Sequence, residues 1–350
     1  MGLSDTAQAV AKFQAVKSRA DAVIESARFN DIASTLTDLT NKANLLPNEI
    51  AQIRSRGYVF AAYLEQKADV ISRRWEGVRG SVERVIETEI GRMEDDLRPI
   101  QQWLQKGAEA GDNAKVLDNV VGSLESAVTP IEGRIEGIRT RLHEMYKTLE
   151  TDINQAVTQL NQIKWYLEQR DEASFPFLAG ESVFLVSKAE WVATGRDNQD
   201  PDGMLFLTDQ RMVFEQKETT GKKLGLFGGK QTQEVKWEVP LHLVEKVTPE
   251  NKGFLGGKDM LHFDLKSGAP YAKITVEIKG GTQAKHWAAQ ITRMVSGGAN
   301  DERAIHPDAE TLQAIRNAPT ECMVCGATLP QLVANQMQLA CEYCGAVIRI

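Results

Sequence analysis

Apolar residues recur at steps of three and four through most of residues 4–170, the period of helices that bury one stripe. The first such segment runs from Ser4 to about Asn41, with Val16, Ala20, Val23 and Ala27 in its stripe. Leu46-Pro47-Asn48-Glu49 interrupts it, and Pro47 suits the first turn of a new helix. The second segment runs from about Asn48 to Lys106. Its seam reads Leu64, Ala68, Ile71, Trp75, Val78, Val82, Ile86, Ile90, Met93, Leu97, Ile100, Leu104, with one extra step of four before Ile90. Pro99 is expected to kink that helix near its end. Gly107, Gly111, Asp112 and Asn113 mark a turn, and a short helix follows to about Ala127.

Thr129-Pro130-Ile131-Glu132 then reads as a helix start, with Thr129 as cap, Pro130 first and Glu132 closing a capping box. The last seam reads Ile131, Ile135, Ile138, Leu142, Met145, Leu149, Ile153, Ala156, Leu160, Ile163, Leu167. The two irregular steps sit at similar distances from the turn, so the second and last helices are expected to fold back as an antiparallel hairpin. Residues 1–172 thus form a helical coiled-coil region. Long seams with charged flanks point to self-association.

After Asp171 the period shortens to that of strands. Seven candidates follow: Ser182–Val192, Gly203–Thr208, Arg211–Gln216, Glu234–Val239, Leu243–Val247, Leu261–Leu265 and Ala272–Glu277. A helix over about Gln283–Val295 aligns Trp287, Ile291 and Met294 on one face. The pattern predicts a small barrel or sandwich closed at one end. The fold expected for the whole is multidomain, α plus β.

The stretch GMLFLTDQRMVFE resembles the signature of GRAM and bacterial pleckstrin-homology-like domains. Gly180-Glu181 before the first strand, WEVPL at Trp237–Leu241, and Trp287 in the closing helix fit the same pattern. The resemblance covers about residues 178–296. It implies a pleckstrin-homology fold, no enzymatic activity, and attachment to lipid headgroups or proteins, with no fixed ligand site. Arg211 matches the family arginine and is expected to anchor its hairpin.

Two loops in this region read KLGLFGGKQT and NKGFLGGKDM. Neither is a nucleotide loop: the glycine six positions before the lysine is missing, and Gln231 or Asp259 replaces the following Ser or Thr. Three readings stay open. The tips fold back on the barrel, dock a protein, or enter a membrane. In the last, Leu226, Phe227, Phe254 and Leu255 insert while Lys222, Lys223, Lys230, Lys252 and Lys258 meet acidic headgroups. An up-and-down meander would place both tips at one end, alongside the acidic loop holding Asp197, Asp200 and Asp202.

Residues 297–319 read as a linker, and the four cysteines all follow it, as Cys322-x-x-Cys325 and Cys341-x-x-Cys344. That spacing predicts one structural zinc site of four thiolates with no open position. The pattern over 320–350 resembles zinc ribbons, which bind nucleic acid, protein, or nothing. With Arg349 its only basic residue and Tyr343 its only aromatic, a protein contact or a purely structural role is favoured over nucleic acid.

Charge agrees. The chain carries −7 overall, and no segment has the basic excess of a nucleic-acid footprint. The five histidines are scattered and no cysteine is left over as a nucleophile, so catalysis is not expected. The amino terminus lacks a secretory pattern, and no apolar run is long enough to span a bilayer. The sequence therefore predicts a cytoplasmic, non-enzymatic, oligomeric scaffold, peripheral to a membrane. A soluble protein-binding scaffold and, less favoured, a nucleic-acid factor are the alternatives.

Overall fold

The computed structural model describes residues 3–196, 199–220, 230–252, 257–334, 336 and 338–349. The chain forms two compact units, one of residues 1–47 and 67–158, the other of residues 48–66 and 159–350.

Four helices supply the first unit: α1 (Leu3–Ser26), α2 (Asn30–Ser55), α3 (Tyr63–Glu109) and α4 (Ala114–Asp171). The expected first helix is broken at Phe29, which is fully buried with φ 52°. Such a backbone ends a helix, and burial of the ring offsets its cost. Within this unit α3 and α4 run antiparallel, as the hairpin required. Arg74 of α3 faces Asp152 of α4 at 3.9 Å, Glu89 faces Arg141 at 2.7 Å, and Asp96 pairs with Arg134.

The α1–α2 strand lies along the same pair. Trp75 of α3 donates to Thr40 of α2 at 2.9 Å, and Arg139 of α4 reaches Asp31 of α2 at 3.3 Å. Gly107 of α3 leaves the space filled by the Phe13 ring of α1. Much of each seam is thus covered by the chain's own helices.

Neither proline starts a helix: Pro47 lies inside α2 and Pro130 inside α4. Thr129 is no cap. Its hydroxyl donates to the Glu125 carbonyl at 3.0 Å, and Glu132 turns outward to Arg19 of α1. The seams also shift by one residue at their irregular steps. Glu89 is buried where Ile90 was expected, and Tyr146 is buried while Met145 is exposed.

The second unit opens with the end of α2 and the start of α3. The predicted helix across residues 48–106 is interrupted at 56–62, where Gly57 and Ala61 adopt φ 88° and 57°. Tyr58, Val59 and Phe60 are apolar enough to continue a helical pattern, yet they are buried as a loop, with Phe60 edge-on to Phe184 at 4.9 Å.

The unit's centre is a seven-stranded antiparallel sheet in the order β4-β3-β2-β1-β7-β6-β5. Its strands are β1 (Val183–Trp191), β2 (Asp202–Thr208), β3 (Arg211–Thr220), β4 (Lys230–Pro240), β5 (Val244–Lys252), β6 (Lys258–Leu265) and β7 (Lys273–Ile278). Helix α5 (Ala284–Val295) closes it with Trp287, Ile291 and Met294 fully buried. Gly203 is required by close approach: a Cβ there would lie 2.0 Å from the Glu215 carbonyl oxygen. A short helix α6 (Ala309–Asn317), capped by Asp308 accepting from Thr311 N–H, leads to a two-stranded antiparallel sheet of β8 (Gln338–Ala340) and β9 (Val347–Arg349).

Candidate metal centre and strand-end loops

Each Cys-x-x-Cys turn is built the same way. Gly326 N–H donates to the Cys322 carbonyl and Gly345 N–H to the Cys341 carbonyl, both at 2.8 Å. Both glycines sit near φ 70°, which L side chains resist, so each turn reverses directly after its second cysteine. Returning bonds from Cys322 N–H to Ala327 O and from Cys341 N–H to Ala346 O then close the two turns.

The turns bring all four sulfur atoms within 4.8 Å of one another, the separations Cys322–Cys344 and Cys325–Cys341 both being 3.6 Å. A disulfide needs about 2.05 Å. A tetrahedral zinc with bonds of about 2.3 Å sets its sulfurs about 3.8 Å apart. The observed spacing fits the second. Among the described residues no other group of three or more His, Cys, Asp or Glu side chains is placed to hold a metal.

Backbone amides prepare the site for negative charge. N–H groups of Cys325 and then Val324 lower the Cys322 thiol to about 7. At Cys344 the Ala346 N–H pulls downward, but crowding by the other thiols and burial together push it up to about 12. Four sulfurs this close would repel one another if all were ionised, and a cation between them would offset that repulsion.

The centre is tied into the second unit. Cys322, Leu329, Leu332, Leu339 and Cys341 form a small core against Ala179 and Ala314. Ala179 N–H donates to Leu332 O at 2.8 Å and Ala334 N–H to Phe177 O at 2.9 Å, an antiparallel bridge onto the entry to β1.

Of the loop residues singled out in the sequence, Lys222, Lys223, Leu226, Phe227, Phe254 and Leu255 lie outside the described residues. Lys230 and Lys252 are described only as strand-end backbone, pairing with Thr220 and Lys258. Lys258 lies 3.4 Å from Glu277. The expectation that both tips share one end is overturned. Because β1 pairs with β7 in an all-antiparallel sheet, the β3–β4 ends point with the β1–β2 and β6–β7 turns, and the β5–β6 ends point the opposite way. Trp191, closing β1, meets Tyr271 of the β6–β7 turn at 5.5 Å, as that arrangement demands.

The acidic loop is partly neutralised by its own surroundings. Asp200 accepts from Thr194 N–H and Gly195 N–H, and Asp202 accepts from Lys279 at 2.8 Å. Arg211 anchors its hairpin: it donates to both oxygens of Glu181, at 2.9 and 3.0 Å, and to Glu238 and the Pro176 carbonyl. Glu181 proves to be the hub that composition did not mark. Its buried carboxylate also accepts from Thr208 and Leu178 N–H.

No protein family matches the chain, and no curated protein matches it. Solved structures with a similar chain path include the Vps36 N-terminal PH domain, at 15% identity and TM-score 0.25, covering 35% of this chain and 83% of that one. The DH/PH domains of PDZ-RhoGEF, solved with activated RhoA, are 10% identical with TM-score 0.28, covering 79% and 95%. The hSac2 domain of the human phosphoinositide phosphatase Sac2 is 16% identical with TM-score 0.22, covering 52% and 90%. Similarity at this level says nothing about ligands.

Proposed function

We propose that the chain is a non-enzymatic adaptor whose β domain, of pleckstrin-homology type, attaches peripherally to an anionic membrane surface, and whose four-cysteine module is a zinc ribbon. One observation carries this reading: seven antiparallel strands closed by α5 leave the β3–β4 end of the sheet pointing away from its occupied end. The opposite end is engaged, since Asp209 in the β2–β3 turn accepts from Ser182 N–H and pairs with Arg303.

Strand alternation supports one inserting tip rather than two. In this reading Leu226 and Phe227 enter the interface while Lys222, Lys223 and Lys230 meet headgroups. Two buried apolar side chains contribute about 3–6 kcal/mol and each lysine about 1 kcal/mol. Ordering a glycine-rich tip offsets part of that, giving weak and reversible attachment.

No helix among the described residues is long and apolar enough to cross a membrane, which leaves surface attachment as the mode proposed. Sedimentation with phosphatidylcholine–phosphatidylserine vesicles tests the reading. Phe227→Asp should weaken binding about tenfold or more, and Phe254→Asp should leave it unchanged. Equal binding by wild type and Phe227→Asp sinks membrane insertion. No vesicle binding at all leaves the soluble protein-binding scaffold.

A further inference from the structure

The large apolar side chains most exposed among the described residues are gathered in the cysteine module. Met323 is 89% exposed, Tyr343 81%, Val324 74% and Val347 58%, whereas no other exceeds 52%. Met323 and Val324 fill the variable positions of the first Cys-x-x-Cys turn, and Tyr343 one of those in the second. The module does not need them for its own core, which is built from Leu329, Leu332 and Leu339 around Cys322 and Cys341. Nor do they hold the module to the β domain, a task done by residues 332–334.

Their backbone is fixed. The turn bonds at Gly326 and Gly345, and four sulfurs within 4.8 Å, hold the two tips against one point. Apolar groups held rigidly in water lose little freedom on binding, which favours a binding surface over a loose end. A metal-stapled module that exposed these side chains without use would carry an aggregation hazard.

Charge selects the occupant. Glu321 and Glu342, both exposed, flank the apolar tips, and Arg349 is the module's only basic residue. Carboxylates beside the apolar patch repel nucleic-acid phosphates and anionic lipid alike. They repel a second acidic copy of the same module as well. We infer that the two cysteine-turn tips form a docking surface for a protein segment that sets Lys or Arg beside an aliphatic or aromatic anchor. The anchor seats on Met323, Val324 and Tyr343, and the cation meets Glu321 or Glu342. This surface is separate from the β3–β4 tip and does not depend on membrane attachment.

The test pans a random peptide library against the full zinc-loaded chain, counter-selecting on Met323→Ser/Val324→Ser/Tyr343→Ser. Enriched peptides should pair a basic residue with an apolar one and bind the triple variant about tenfold or more weakly. Glu321→Lys/Glu342→Lys, with the apolar tips intact, should lose the preference for basic peptides. Zinc content and circular dichroism matched to wild type verify the folding of both variants. If the triple variant fails that check, the charge-reversed pair decides alone. The inference is overturned if no peptide is enriched, or if enriched peptides bind both variants as well as wild type. It is also overturned if the triple variant changes vesicle binding or oligomeric state instead.

Discussion

Arg54 Nε lies 2.8 Å from Glu65 Oε1, and the same guanidinium donates to the carbonyls of Tyr58, Phe60 and Ala61 in the loop between them. One side chain thus closes the turn from α2 to α3. Glu65 is half exposed, so the ion pair alone is worth about 0.5 kcal/mol. The three carbonyls matter more. Arg54→Met is expected to cost about 2–3 kcal/mol in urea denaturation, and Glu65→Gln about 0.5.

The pair also predicts an acid response. The hydrogen bond from Arg54 holds the Glu65 carboxyl below its ordinary value near 4.5, with burial opposing. A depressed native value contributes stability above the unfolded value and loses it as pH falls through the native one. Wild type should therefore lose more stability than Glu65→Gln as pH drops from neutrality to below 4.5. Parallel curves for the two proteins would contradict this.

At Glu89 the helical seam carries a buried carboxylate, 5% exposed, served by Arg92 at 3.1 Å and Arg141 at 2.7 Å. Both arginines are themselves more than half exposed. Replacing the acid by an apolar residue leaves their charges in water and removes a desolvation cost. Glu89→Leu should raise the melting temperature, by an amount equivalent to about 1 kcal/mol. Arg141→Ala should lower it. A fall with Glu89→Leu would mean the carboxylate stabilises the bundle outright.

How far the sequence reveals the fold can be judged at such positions. Period alone located the helical half, the antiparallel α3–α4 pair, the strands of the sheet and α5. It failed where an apolar run serves two structures. Tyr58, Val59 and Phe60 continue a helical stripe by composition but are buried as a loop beside β1, a tertiary contact no local pattern announces. Pro130 failed for the converse reason. Its signature matches a helix start, yet packing carries α4 straight through, and Thr129 and Glu132 find partners on α1 instead. The cysteine cluster was fully legible because spacing alone fixes it. Glu181 stands in the resemblance only as half of Gly180-Glu181. Its role as the buried partner of Arg211, Thr208 and Leu178 N–H was not legible, because those partners meet only in the folded chain.

Two glycines give opposite forecasts. A Cβ on Gly107 would meet the end of the Phe13 ring, at 2.2 Å, so Gly107→Ala should destabilise wild type and cost less in a Phe13→Ala background. A Cβ on Gly203 would meet the Glu215 carbonyl at 2.0 Å, where backbone cannot step aside. Gly203→Ala should therefore cost about 2–3 kcal/mol, with no single rescuing substitution on β3. Double-mutant unfolding cycles measure both.

Metal removal supplies the last expectation. Zinc analysis should find one ion per chain, lost in Cys322→Ser/Cys341→Ser, with affinity falling as acid protonates the thiolates. Hydrogen exchange at Ala179 and Ala334 should then accelerate, since their N–H groups bond Leu332 and Phe177 across the bridge to the module. Unchanged exchange after chelation would show that the bridge stands without metal.

That bridge also orders events in time. The segment at Phe177–Ala179, synthesised before any strand of the sheet, finds its partner only when Leu332–Ala334 has been made. A ribosome stalled anywhere in the sheet therefore releases a chain whose entry to β1 is left unpaired. The cysteine module, made after every strand of the sheet, thus supplies the contact for which the entry to β1 waits.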